Sequence, residues 1–245
     1  MKKERADKLL VDRGLAESRA RAQALIMAGQ VFAGEAKIAK AGQLIDPGAA
    51  LDVRGKDHPW VSRGGLKLAH ALAEFDIPVG GRIALDVGAS TGGFTDVLLA
   101  GGAARVFAVD VGHGQLAWKL RQDDRVVVLE RTNARHLSQA EVPDAIDLIV
   151  CDASFIGLET VLPAPMALAA DQADLIALIK PQFEVGKGRV GKGGVVRDPA
   201  LHEEVCARIR GWLDDRPGWR VMGLTESPIL GPEGNKEFLV WAQRS

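Results

Sequence analysis

The chain has 245 residues, 47% of them hydrophobic and 26% charged, enough apolar material for one large core or a small and a medium one, which excludes a mostly disordered chain. Its formal charge of −1 hides an asymmetry: residues 1–67 hold 13 Lys and Arg against 8 Asp and Glu, or +5, which leaves 18 against 24, or −6, for the rest. A basic front on an acidic body directs the front toward a polyanion. Cys151 and Cys206 lie in apolar contexts without metal-ligand spacing, so neither a disulfide scaffold nor a metal site is expected. The opening MKKERADKLL has no apolar signal core, and no run reaches the ~18 apolar residues of a membrane span, so a cytoplasmic protein without membrane association is expected.

Between Arg5 and Arg13, Ala6, Leu9 and Leu10 fall at helical spacing, with Gly14 as a stop. Ser18 caps a second predicted helix that runs to Gly29 and turns Ala22, Leu25 and Ile26 inward. Strand-like pieces follow around Gln30–Phe32 and Ala50–Val53, which together make a small α+β unit. From Arg82 the rhythm changes to RIALDV, RVFAVDV, RVVVLE, IDLIVCD and ADLIALIK, continuous apolar runs that read as strands of a parallel sheet buried on both faces and joined by crossover helices. Asp198 caps a further helix with Pro199 in its first position, and RVMGLTESPI and KEFLVWAQ form a terminal antiparallel hairpin.

The first strand of that sheet ends in LDVGASTGGFTD. Asp86, Gly88, Ala89, Ser90, Gly92 and Gly93 lead into an amphipathic helix, a loop whose backbone can approach a ligand closely and whose helix start offers free N–H groups. It lacks the dinucleotide pattern G-x-G-x-x-G. Asp110, ending the next strand, is placed to accept from a ribose diol, and the two features together point to an adenosine-containing ligand. Asn133, after the third strand, either contacts the adenine or caps a turn. A second glycine loop, GKGRVGKGG from Gly186 to Gly194, falls short of a phosphate-binding loop because Gly193 stands where a hydroxyl must hold magnesium. Its Lys187, Arg189 and Lys192 read as a basic lid or as an ordinary surface loop.

Asp152 in VCDASFI, Lys180 in LIKPQFE and Glu237 in NKEFLVW stand at strand ends, and the carboxyl ends of parallel strands share one ligand crevice. Cys151 alternates away from Asp152 and reads as a structural thiol.

Taken with VSRGGLKL, these motifs resemble the TlyA-type, hemolysin-like ribosomal RNA 2′-O-methyltransferase family over nearly the whole chain. The resemblance implies a small α+β S4-like RNA-binding domain (1–57), a linker (58–63) and a Rossmann-like class I methyltransferase sheet of α/β class with a C-terminal antiparallel hairpin (64–245). It implies S-adenosylmethionine as cofactor and Lys67, Asp152, Lys180 and Glu237 as the catalytic tetrad, with Asp152 also in the cofactor site alongside the glycine loop, Asp110 and Asn133. His58 departs from the arginine that the family carries two positions before its linker Trp-Val.

The implied chemistry is methyl transfer to a cytidine ribose 2′-hydroxyl of ribosomal RNA within a ribosomal subunit. A ribose hydroxyl is a poor nucleophile, so Lys180 is expected to orient and deprotonate it beside a second cation, Lys67, while Asp152 and Glu237 hold the lysines and balance charge. Arg5, Lys8, Arg19, Arg21, Arg63, Arg135, Lys187 and Lys192 are the expected RNA contacts, made largely to phosphates. Trp60 and Val61 are expected to pack between the domains. A monomer is expected, and the short termini point to large-subunit RNA. The rival readings are a non-enzymatic ribosome-binding module, which four intact catalytic side chains oppose, and a membrane-acting haemolysin, which the short, Gly- and Pro-broken apolar stretches oppose.

Overall fold

A computed structural model describes residues 3–16, 18–53, 58–186 and 188–245, with the backbone alone at Pro232. The chain divides into two compact units, Met1–Pro59 and Trp60–Ser245.

In the first unit, β1 (Glu4–Arg5) leads into α1 (Ala6–Asp12) and α2 (Arg19–Met27), followed by β2 (Val31–Ala33), β3 (Ala36–Lys37), β4 (Leu44–Ile45) and β5 (Leu51–Val53). Gly14, at φ 69°, ends α1 in a conformation that side-chain-bearing residues avoid. Ser18 caps α2 by accepting from the Arg21 N–H. Strand β2 pairs antiparallel with both β3 and β5, and β1 pairs with β4. Ala6, Leu9, Leu10, Ala22, Leu25 and Ile26 meet Val31, Ile38 and Ile45 in the core, so the apolar helical spacing does bury these side chains. Strands β1, β3 and β4 are only two residues long and leave no alternation to read.

The second unit begins with Trp60 and Val61 packed on its own core. Its elements are α3 (Gly64–Glu74), β6 (Ile83–Val87), α4 (Gly93–Ala100), β7 (Arg105–Val109), α5 (Trp118–Arg121), β8 (Val126–Leu129), β9 (Ile146–Cys151), α6 (Leu158–Val161), α7 (Pro163–Ala167), β10 (Ala169–Ile179), α8 (Pro181–Glu184), α9 (Pro199–Asp214), β11 (Trp219–Glu226) and β12 (Phe238–Arg244). The strands form one sheet in the order β11-β12-β10-β9-β6-β7-β8. Strands β6 to β10 are parallel, and β12 runs antiparallel between β10 and β11.

Period-two alternation splits the apolar runs between two cores. Leu85, Phe107, Ile149 and Leu175 face α6, α7 and α9, whereas Ala84, Val106, Leu148 and Ile176 face α3 and α4. Asp198 caps α9 by accepting from the Ala200 N–H, with Pro199 in the first turn. The crossovers are shorter than continuous helices: prolines 163 and 165 confine α6 and α7 to 4 and 5 residues, and a 3-10 turn at Ala134–His136 lies between β8 and β9. Strand β10 starts at Ala169, before the apolar run, with a register irregularity between Ala169 and Asp174 against β9. Among the described residues no helix is long and apolar enough to cross a membrane, and no cluster of His, Cys, Asp or Glu could hold a metal ion.

The chain turns from β6 to β7 and β8 on one side and lays β9 and β10 on the other. The crevice at the carboxyl ends of β6 and β9 is therefore the topological switch point where such sheets bind ligands.

Candidate active site

The loop after β6 is fixed by its neighbours. Gly88 takes φ 83°, and a Cβ there would sit 2.9 Å from Ala153 Cα, so the loop after β9 passes against bare backbone. Ser90, at φ 48°, donates its N–H to Asp110 Oδ2 at 2.7 Å, and Gly112 N–H donates to Asp110 Oδ1 at 2.7 Å. Each Asp110 oxygen keeps a further lone pair for another donor. Gly92, at φ 93°, starts α4 with its back to Leu116 and Leu120, and lies outside the cleft walls.

Two clefts of about 360 Å³ each open at this edge. One is lined by Arg63, Lys67, Ala89, Gly93, Phe94 and Lys180, and the other by Val111, Asp110, Asn133, Phe155 and Ile156. They share Gly88, Ser90, Asp152 and Ser154, so Asp152 stands on the partition.

Lys67, Asp152 and Lys180 line the first cleft, and Glu237 lies behind its wall, so that the four form two ion pairs. Lys180, following β10, places Nζ 2.6 Å from Asp152 Oδ1, and donates to Ser154 Oγ at 2.8 Å and to the Asp152 carbonyl at 3.0 Å. Lys67, on the first turns of α3, donates to Glu237 Oε2 at 2.6 Å. Glu237 Oε1 meets no hydrogen-bonding partner among the described residues and packs so tightly on Gly231 that any side chain there would collide with it. Lys67, Lys180 and Glu237 are all buried. A helical wheel groups Lys67 with Glu74, which is exposed, but Lys67 is buried and paired to Glu237.

Asp86 lies beneath the loop rather than in a cleft wall. It is fully buried, accepts from Thr95 Oγ1 at 2.6 Å, and has an Oδ1 with no partner among the described residues. Burial raises its carboxyl to about 7, against the lowering effect of the Thr95 hydrogen bond. Burial likewise pushes the Cys151 thiol up to about 12, which leaves it no nucleophilic thiolate at neutral pH. Asn133 caps the 3-10 turn by accepting from the Arg135 N–H and also borders the second cleft.

The basic residues divide by location. Arg63 starts α3 and lines the first cleft, and Arg135 and Lys192 are exposed outside both cleft walls. Lys187 lies outside the described residues. Arg189 is paired to Glu204 at 2.5 and 2.6 Å. In the first unit Asp7, fully buried, takes both Arg5 nitrogens at 3.0 Å, Arg19 at 2.9 Å and Gln23 at 3.1 Å, and these donors hold its carboxyl well below the usual carboxylate range. Both guanidinium groups stay about half exposed, so they can also reach an outside anion. Lys8 bridges Glu4 at 2.6 Å and Asp12 at 3.6 Å, and Arg21 is exposed.

Ser62, Ser154, Phe155 and Ile156 complete the cleft walls without having been expected there. For Ser154 a signal existed: two residues beyond Asp152, it can share that residue's side of an extended segment.

A seven-stranded sheet in this order, with a glycine loop after its first strand and an acid ending its second, defines the class I methyltransferase fold. An O-methyltransferase from Bacillus cereus shares it at 19% identity and a TM-score of 0.53, over 76% of this chain and 82% of that one. The pattern of the FtsJ-like methyltransferase family matches residues 60–244, and that of the S4 domain matches residues 4–51. The chain belongs to the FtsJ-like methyltransferase family and carries an S4 domain ahead of the enzyme unit. It is 51% identical to the 16S/23S rRNA (cytidine-2′-O)-methyltransferase TlyA of Mycobacterium tuberculosis over 97% of this chain and 88% of the relative. It is 41% identical to hemolysin A of Brachyspira hyodysenteriae over 96% and 98%. A solved candidate hemolysin from Streptococcus thermophilus superposes with a TM-score of 0.78 at 43% identity, over 100% of this chain and 90% of that one.

Proposed function

We propose that the chain methylates the ribose 2′-oxygen of a cytidine in ribosomal RNA, with S-adenosylmethionine as donor. The observation that carries the proposal is the pair of clefts that share Asp152 and Ser154, one bearing an acid suited to a ribose diol and the other bearing two buried lysines. The second cleft fits the cofactor by its donor set: Asp110 retains acceptor capacity, Val111 and Ile156 offer apolar walls for an adenine, and Gly88 and Ser90 bring backbone to the shared partition. When bound, the sulfonium supplies an already activated methyl group.

Within this reading each side chain has a part. Lys180 takes the hydroxyl proton, and Asp152 holds Lys180 at 2.6 Å. Lys67 borders the same cleft, and its only polar partner among the described residues is Glu237, so it keeps N–H groups for the oxygen on which negative charge develops. Arg63 stands at the mouth to take a phosphate, and the S4 unit adds Arg5, Lys8, Arg19 and Arg21. The identity to a cytidine-2′-O-methyltransferase supports the choice of base and position.

The test is to incubate the protein with methyl-labelled S-adenosylmethionine and each ribosomal subunit from cells lacking the modification, then map the label. Label on a cytidine 2′-oxygen is expected, and the labelled subunit identifies the substrate particle. Label on a base, or none with cofactor bound, overturns the proposal. Lys180→Ala should abolish transfer while leaving cofactor affinity intact.

A further inference from the structure

Lys180 borders the first cleft, yet its nitrogen is enclosed. Three protein oxygens crowd Nζ: Asp152 Oδ1 at 2.6 Å, Ser154 Oγ at 2.8 Å and the Asp152 carbonyl at 3.0 Å, and only 7% of the side chain is exposed. The carbonyl and the carboxylate only accept hydrogen bonds. The hydroxyl both accepts and donates, so Ser154 alone of the three can donate a proton to the lone pair of a neutral lysine amine. Ser154 is also exposed and lines both clefts, so its hydroxyl connects the buried nitrogen to the space beside Asp152.

We propose that Ser154 relays the proton from the substrate hydroxyl to Lys180, which makes it a catalytic residue outside the Lys-Asp-Lys-Glu set. The inference rests on Lys180 being the base. Starting from the neutral amine, the substrate O–H proton passes to Oγ as the serine's own proton passes to Nζ, so serine ends unchanged and Lys180 ends as an ammonium ion. The oxygen's electron pair forms the new bond to the methyl carbon while the carbon–sulfur pair returns to sulfur. Asp152, at 2.6 Å, stabilises the ammonium ion that results.

Single-turnover methyl transfer to unmodified ribosomal subunits tests this in the full-length wild type, Ser154→Ala, Ser154→Thr and Lys180→Ala, with S-adenosylmethionine affinity measured for each and the wild-type rate followed across mixtures of H₂O and D₂O. A relay predicts a rate loss of about 100-fold in Ser154→Ala, as expected for a lost proton-transfer group, with cofactor affinity within about twofold. Ser154→Thr should recover most of that loss, and the wild-type rate should fall along a curve that requires two protons in flight. The relay is overturned if Ser154→Ala stays within about threefold of wild type, if Ser154→Thr is as slow as Ser154→Ala, if Ser154→Ala loses the cofactor, or if the D₂O dependence is linear. An active Lys180→Ala instead removes the base assignment beneath it, an outcome distinct from an inactive Lys180→Ala beside a normal Ser154→Ala.

Discussion

At the scale of single residues, the two buried acids near the cleft do opposite things. Asp86 has an oxygen without a partner and a carboxyl raised to about 7. The folded protein thus holds this proton more tightly than the unfolded chain, so the stability it contributes is full below the ordinary carboxylate range and is lost as pH rises through about 7. Asp86→Asn keeps an acceptor for Thr95 and has nothing to ionise. Its melting temperature relative to wild type should therefore rise from about pH 4 to about pH 7 and level off above, and a flat difference in thermal scans would contradict this assignment. Glu237, by contrast, has its charge matched by Lys67 at 2.6 Å. Glu237→Leu strands a cation whose side chain is 9% exposed and should cost about 3 kcal/mol, the low end for a broken buried pair because Lys67 still borders the cleft. Adding Lys67→Met should return most of that stability in urea titrations and none of the methyl transfer.

At the scale of elements, close backbone approach decides the site. At Gly88 a methyl group would meet Ala153 at 2.9 Å in a conformation, φ 83°, already costly for any L-residue. Gly88→Ala should therefore destabilise the fold by more than ~1 kcal/mol and weaken cofactor affinity together, as read by denaturation and equilibrium dialysis. Asp198→Ala, which removes the cap of α9, a helix that lines neither cleft, should cost ~1 kcal/mol and leave cofactor affinity unchanged. The strands were legible in the sequence because parallel strands covered on both faces are continuous apolar runs, and the caps at Ser18 and Asp198 because their side-chain chemistry is local. The depth of Lys67 was not, since a helical wheel knows only its own helix, and the partner of Lys67 is Glu237, 170 residues further along the chain. Asp86 posed the same difficulty: an acid at a strand end reads as a ligand contact until the Thr95 hydroxyl is found over it. The Arg19–Asp7 pair joins residues 12 apart on two helices and likewise has no local signal.

At the scale of the whole molecule, the S4 match over residues 4–51 supports the proposal of RNA contacts on the first unit, and phosphate contacts are sensitive to salt. Arg19→Gln combined with Arg21→Gln leaves Asp7 held by Arg5 and should reduce the slope of log affinity against log salt for ribosomal RNA by about 2. An unchanged slope in filter-binding titrations would remove these two residues from the interface. The position of β12 also has a consequence in time. It fills the gap between β10 and β11, and the residue just before it, Glu237, closes on Lys67 across 170 positions of chain. At ~5–20 residues per second of synthesis, the lysine waits roughly 10–30 s for its partner. Until β12 is inserted, both lysines exist but only one has its carboxylate, so a nascent chain carries a cofactor loop before it carries a complete active site. On the proposed assignment of Glu237, the active site is completed only once the ribosome has passed residue 237 and released the strand that follows.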